Sequence, residues 1–234
     1  MLLRFPHRPC FIFPYSLKKI PMRISLLLSL FAGLFLGSLF AQSGDSERIL
    51  KQSQEKLESL SDLKADFTYV ITNPSITRQP EPRQGKVRYK AGMYALLMED
   101  QEVYCDLETQ WIYLPEVSEV SILDYEEGEG MSLSSIFKIY ETNAVPRYEE
   151  KETVHGNECH KIFLAIKDPS VDYNQAYLWI NTRTKLLEKV SLIDRRQTTT
   201  IFEFLNLKTN TGLTIEDFRF NPAKHEGVEV YDER

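Results

Sequence analysis

Apolar and polar positions alternate with a period of two through most of the chain beyond residue 60, which predicts strands. LKADFTYVIT, Leu63–Thr72, is the first. Others are expected at Gln84–Lys90, Met93–Met98, Glu102–Cys105, Gln110–Leu114 and Val117–Leu123. A second group follows at Tyr148–Val154, Cys159–Lys167, Gln175–Ile180, Leu186–Ile193, Thr198–Leu207 and Ile215–Phe220. Turn residues separate them: Ala91-Gly92, Glu99-Asp100, Leu107-Glu108, His155-Gly156-Asn157, Asn181-Thr182-Arg183 and Asn210-Thr211-Gly212. Pro74, Pro80 and Pro82 make 73–83 a loop. Short strands with tight turns read as an antiparallel meander. Gln175–Ile180 is apolar on both faces, so it is covered on both sides or lines a cavity on one.

Two segments break the period. Ile49, Leu50, Leu57 and Leu60 share one helical face, interrupted by Ser53, with Asp45 or Ser46 placed to cap the start. The second is MSLSSIFKIYE, after the acidic loop DYEEGEG. Its Leu133, Ile136, Phe137 and Tyr140 fall at i, i+3, i+4 and i+7. A short amphipathic helix between two halves of a sheet must cover something: it plugs a barrel end or acts as a lid over an apolar cavity. The fold class expected is mainly β (α+β). The architecture is an incomplete antiparallel β-barrel, or strongly curved sheet, with helices on its concave face.

The N-terminal region changes the domain count. From Met22, MRISLLLSLFAGLFLGSLFAQ has a basic start, an uncharged run from Ile24 to Phe40 and a small residue at Ala41. That is the pattern of an export signal, with Met22 the expected start and 1–21 an upstream extension. No Cys follows the run, so lipid modification there is not expected. A retained anchor is the competing reading, because the run is near the lower limit for a span. The remaining 42–234 fits a single domain.

Charge removes some functions. The chain has net charge −6, and Arg4, Arg8, Lys18, Lys19 and Arg23 all lie in the first 41 residues, which hold no acid. The exported part is therefore more acidic still, which argues against nucleic-acid partners. Its two cysteines, Cys105 and Cys159, could pair in an oxidising compartment or pack as free thiols inside strands.

The search for chemistry is negative. There is no nucleophile elbow, phosphate-binding loop, dinucleotide fingerprint or zinc-protease motif. His155, Cys159 and His160 are close in sequence. Neighbouring strand residues point to opposite faces, so Cys159 and His160 do not readily share one ion. The acids of DYEEGEG lack the calcium-loop spacing. No catalytic residue, metal or cofactor is expected, and the chain does not read as an enzyme.

The stretch from Gly85 to Ile122 is the most informative. It sets large apolar side chains on short strands: Val87, Tyr89, Met93, Tyr94, Leu96, Met98, Trp111 and Tyr113. Behind an export signal, that points to an envelope protein that holds something apolar. The cavity residues expected are Val87, Tyr89, Met93, Leu96, Met98, Trp111 and Tyr113.

Several short motifs stand in order. They are Ala65-Asp66-Phe67-Thr68, Gln84-Gly85-Lys86-Val87, Asp106…Trp111-Ile112-Tyr113…Pro115, Glu119-Val120, Phe163–Lys167, Phe218-Arg219-Phe220-Asn221-Pro222 and Gly227-Val228-Glu229-Val230. This ordered set resembles the periplasmic outer-membrane lipoprotein carrier family, LolA, over nearly all of 42–234. The resemblance implies an incomplete β-barrel with a helical lid over an apolar cavity. It also implies a monomeric periplasmic carrier that takes triacylated lipoproteins from an inner-membrane ABC transporter and passes them to an outer-membrane acceptor. A sensor of lipid or lipoprotein with the same fold is the alternative; a lipid hydrolase is a third reading. The chain departs from the family twice. Leu107 replaces the Gly usual after the Asp. Ala91 stands where the best-known carrier has an Arg that holds the lid, with Arg88 and Lys90 the nearby basic residues.

Overall fold

The computed structural model describes residues 44–75, 80–125, 144–167 and 173–234. The expected export signal and the lid helix with Leu133, Ile136, Phe137 and Tyr140 lie outside them. Among the described residues there is one α-helix, α1, covering 44–58. The strands are β1 (Leu63–Thr72), β2 (Arg83–Lys90), β3 (Met93–Met98), β4 (Glu102–Cys105), β5 (Thr109–Leu114) and β6 (Glu119–Asp124). After them come β7 (Ala144–Val154), β8 (Asn157–Ile166), β9 (Tyr173–Asn181), β10 (Leu187–Asp194), β11 (Thr199–Thr209) and β12 (Glu229–Asp232).

All twelve strands belong to one sheet in the order β12-β6-β5-β4-β3-β2-β1-β11-β10-β9-β8-β7. The end strands β12 and β7 do not pair, so the barrel is incomplete. Consecutive strands pair antiparallel through the two meanders, and β1 joins them by pairing with β11. Register slips occur at Lys64/Asp66, Tyr148/Glu150, Leu187/Lys189 and Ile193/Asp194. Each extra residue bends its strand and sharpens the twist, which curves the sheet around α1.

α1 lies on one face. Ser46, Ile49, Leu50, Ser53 and Leu57 are its buried positions, at helical spacing. Residue 44 is already helical, so Asp45 and Ser46 lie within the helix and do not cap it from outside. Asp45 instead takes an ion pair from Arg48 at 2.7 Å. The stripe packs on Leu63, Ala65, Phe67 and Tyr69 of β1, Val87 and Tyr89 of β2, and the inward residues of β8 to β11.

The C-terminal part departs from the expectation. Ile215–Phe220 is not a strand. Ile215–Phe218 is a 3-10 turn in which Thr214 and Asp217 bond each other's backbone, with Asp217 Oδ2 accepting the Thr214 N–H at 2.9 Å. That reciprocal cap curls a segment whose alternation reads as extended. The last strand is instead β12, in parallel pairing with β6.

Candidate apolar binding face

The strand register decides which side chains share a face, because directly opposed residues point the same way. Val87 opposes Leu96, Tyr89 opposes Tyr94, and Gly85 opposes Met98. Val103 opposes both Leu96 and Ile112, and Gln110 opposes Leu123. All these lie on the α1 face. Met93 opposes Lys90 and Ala95 opposes Arg88 on the other face. Tyr104 opposes Trp111, and Tyr113 opposes Val120, also on the other face. The seven expected cavity residues therefore divide. Val87, Tyr89, Leu96 and Met98 join the α1 side; Met93, Trp111 and Tyr113 do not. Part of this was readable beforehand, since Met93 and Leu96 are an odd number of residues apart on one strand.

The α1 face centres on rings. Phe67 lies 5.7 Å from Phe202, 6.0 Å from Tyr69 and 6.4 Å from Phe204, centroid to centroid. Its ring covers Gly85, where an added Cβ would run into the Phe67 ring. Only Gly leaves room for the ring to lie on the β2 backbone. Under α1 this core is dense. A void of about 20 Å³ remains between Ser53, Leu57, Leu63, Leu186, Leu187, Phe204 and Leu207. That is room for roughly one water and not for a hydrocarbon chain.

Beyond α1 the same face continues over β3 to β6. Leu96, Met98, Val103, Ile112 and Leu123 are only half-buried there, and Leu114 is exposed. At the open end Tyr69 donates its hydroxyl to Asp100 at 3.2 Å, and Arg83 pairs with Asp100 at 2.7 Å. The face is thus a packed aromatic core running into a half-covered apolar shelf, with polar groups at its rim.

The opposite face of β2 to β5 is closed by residues 210–225, which cross the sheet strand by strand. Asp62, buried just before β1, anchors their start. It accepts from Thr211 N and Oγ1 at 2.6 and 2.8 Å, Gly212 N at 2.8 Å and Leu213 N at 3.1 Å. Burial alone would raise its pKa; the hydrogen bonds from Thr211, Leu213 and Gly212 overcome this and hold it at about 2. Lys90 donates to the Leu213 carbonyl, and Arg88 reaches the Asp217 carbonyl at 3.2 Å. Phe218 packs with Ala95 and Leu213. Arg219 pairs with buried Asp106 at 2.6 Å. Burial raises the Asp106 pKa, but the Thr109 N–H and Arg219 outweigh it and the net shift is downward. Phe220 lies 5.1 Å from Tyr113, and His225 lies 4.4 Å from Tyr113.

The Asp…Trp-Ile-Tyr and Phe-x-Phe-Asn-Pro motifs therefore meet each other, on the face away from α1. Arg88 and Lys90 hold this strap, so neither supplies a latch on the α1 side. Ala91 occupies the tight turn before β3 with φ +48°. Leu107 takes the backbone of the missing Gly, with φ +76°.

Cys105 and Cys159 are both free and buried. Six strands separate β4 from β8 in the sheet, so the two do not form the disulfide considered from sequence. Burial pushes the Cys105 thiol up and the Cys159 thiol up to about 11. Among the described residues no three metal-ligating side chains gather. His160 meets Tyr148 on the α1 face while Cys159 packs with Val154 and Trp179 on the other. His155 faces Glu203 at 3.2 Å.

No family model matches the chain, and no curated protein matches it. Solved structures do. An uncharacterized conserved protein from Thermus thermophilus is similar at 12% identity and TM-score 0.55, over 81% of this chain and 99% of that one. That likeness shows a shared fold. A LolA superfamily protein from Nitrosomonas europaea is similar at 11% identity and TM-score 0.41, over 75% and 97%. The Pseudomonas aeruginosa MucA/MucB complex is similar at 15% identity and TM-score 0.47, over 76% of this chain and 61% of that one.

Proposed function

We propose that the protein is a non-enzymatic periplasmic carrier of triacylated lipoproteins, whose acyl chains lie on the α1 face of the sheet. The observation that carries this reading is the half-covered apolar shelf of Leu96, Met98, Val103, Ile112 and Leu123, continuous with the core under α1. The ordered motifs from Ala65-Asp66-Phe67-Thr68 to Gly227-Val228-Glu229-Val230, which resemble the LolA family, agree with it.

The physics of a carrier fits. Each buried CH₂ contributes about 0.8 kcal/mol, so acyl chains are held strongly without any directional contact. A carrier must also release. A face already dense under α1, with about 20 Å³ of void, makes a chain compete with protein side chains for the same contacts. That competition lowers the net affinity and lets the cargo leave. Met98 and Leu96 adapt to chains of different shape. No nucleotide site is needed if an inner-membrane ABC transporter loads the carrier and an outer-membrane acceptor unloads it. The run Ile24–Phe40 would direct export, and the carrier would act as a monomer.

Three measurements test the reading. Mass spectrometry of the chain purified from its envelope should find acylated protein bound one-to-one. Ile112→Asp, on the shelf, should weaken uptake of a fluorescent acyl lipopeptide by about tenfold or more, while thermal unfolding stays near that of the parent. Depletion should strand outer-membrane lipoproteins at the inner membrane. Bound lipid with unchanged sorting would turn the reading to a sensor. No bound acyl species, with Ile112→Asp as active as the parent, would reject the binding face itself.

A further inference from the structure

The two edges of the open sheet are finished differently. β7 has Pro146, a register slip between Tyr148 and Glu150, and charges of both signs from Arg147 to Glu152. A missing donor, a kink and mixed charge each discourage a further strand. β12 has none of these. It runs beside β6 without a slip, from Glu229 opposite Glu119 to Asp232 opposite Ile122. All four of its residues are exposed, and Val230 and Tyr231 remain 51% and 45% accessible.

Among the described residues, the side of β12 left without a strand partner follows from the ladder. Glu229 N–H donates to Ser118 O at 2.9 Å, and Glu233 N–H to Ile122 O at 2.9 Å. In a parallel pair, alternate residues bond the same neighbour. Val230 and Asp232 therefore turn their N–H and C=O groups away from β6. The strand is presented firmly, because residues 210–225 just before it are pinned by Arg88, Lys90 and Asp106.

Charge selects the partner. β6, β12 and the residue after β12 carry Glu119, Asp124, Glu229, Asp232 and Glu233. The adjacent base is Arg234, which bonds Asp232 at 2.7 Å. Two copies of β12 laid edge to edge would set acid against acid, which is destabilising. A basic strand with apolar residues between its charges would meet both the acids and the exposed Val230 and Tyr231. We infer that the outer edge of β12 is a docking site for a basic, extended segment of another protein, which adds to the sheet as a further strand. The inference rests on the edge alone and not on what the α1 face holds.

The test uses the full chain and a short synthetic peptide of alternating Lys and Val, with a Glu/Val peptide as control. The Lys/Val peptide should slow amide exchange at Val230 and Asp232, and the Glu/Val peptide should not. Val230→Pro removes an outward donor and leaves the Glu229 and Glu233 bonds to β6; it should weaken binding roughly tenfold, the scale of one lost hydrogen bond. Replacing Glu229 and Asp232 together by Lys should invert the preference between the two peptides, a readout that does not depend on the Pro variant folding. The inference is overturned if protection appears away from β12, if the double Lys variant keeps its preference, or if sedimentation shows the chain pairing with itself through this edge.

Discussion

The two faces of the sheet are held by different physics. Beneath α1, contact is almost wholly apolar: Ile49, Leu50 and Leu57 meet Phe67, Val87, Leu178, Val190 and their neighbours. Such contact is non-directional and can be exchanged for other apolar contact. Under residues 210–225 the apolar clusters are small, and polar anchors at Asp62, Lys90, Arg88 and Asp106 set the path. Directional bonds fix one arrangement, because a buried partner left alone is costly. The α1 face is the more apolar of the two, although Gln110 donates to Tyr94 at 2.8 Å and Tyr69 to Asp100 at 3.2 Å on it. The Asp…Trp-Ile-Tyr and Phe-x-Phe-Asn-Pro motifs lie on the directionally bonded face, while Phe67, Gly85 and Val87 of the two earlier motifs lie on the α1 face.

Removing a ring from the α1 face should have the largest effect. Phe67→Ala is expected to cost about 3–5 kcal/mol in urea unfolding, because Phe67 is fully buried against the rings of Tyr69, Phe202 and Phe204. A loss below about 1 kcal/mol would mean that this core is already loose, and the contrast between the faces would fail.

The next largest effect should come from the strap anchor. Asp62→Ala is expected to cost about 3 kcal/mol, since it strips partners from three backbone amides and a hydroxyl. Hydrogen exchange at Thr211, Gly212 and Leu213 should rise more than exchange under α1. The acid behaviour follows in sign. The folded pKa of about 2 lies below the usual carboxylate value of 3.8. The contribution is therefore present above pH 4 and lost as pH falls from about 4 towards 2. Urea midpoints at neutral pH and near pH 2.5 should differ less in Asp62→Ala than in the parent.

Arg219→Ala should cost about 1–2 kcal/mol, because Asp106 keeps the N–H groups of Glu108 and Thr109 after losing the guanidinium. Uptake of an acyl lipopeptide should be unchanged. If uptake falls with it, the two faces are coupled and their division of labour is wrong.

Leu107→Gly should have the smallest effect, and of opposite sign. Leu107 is well exposed and holds φ +76°, where a side chain costs about 1 kcal/mol. Stability should rise by up to about that amount, offset in part by the greater freedom of Gly in the unfolded chain. The Leu107 side chain lies over Gly92, where an added Cβ would come within 3.3 Å of it, and a loss would show that this packing outweighs the strain.

Local pattern determined most of the architecture. The period-two runs located β1, β3 and β4 at their observed limits and β2, β5 and β6 to β11 within a few residues, because alternation is a property of the chain itself. The stripe of Ile49, Leu50, Leu57 and Leu60 located α1 for the same reason, although Leu60 lies two residues past its end. Parity along one strand already separated Met93 from Leu96. Tertiary structure decided the rest. Whether Trp111 shares a face with Leu96 depends on the register of β4 between them. Asp106 and Arg219 are 113 residues apart, and only the folded strap brings them together. Ile215–Phe218 alternates like a strand, yet the Thr214–Asp217 cap and the docking of Phe218 turn it into a helical turn. β12 is four residues long, and it pairs with β6, more than a hundred residues earlier. A pattern that short carries no period of its own. Its structure comes from the hydrogen bonds β6 offers once the strap has carried the chain across the sheet.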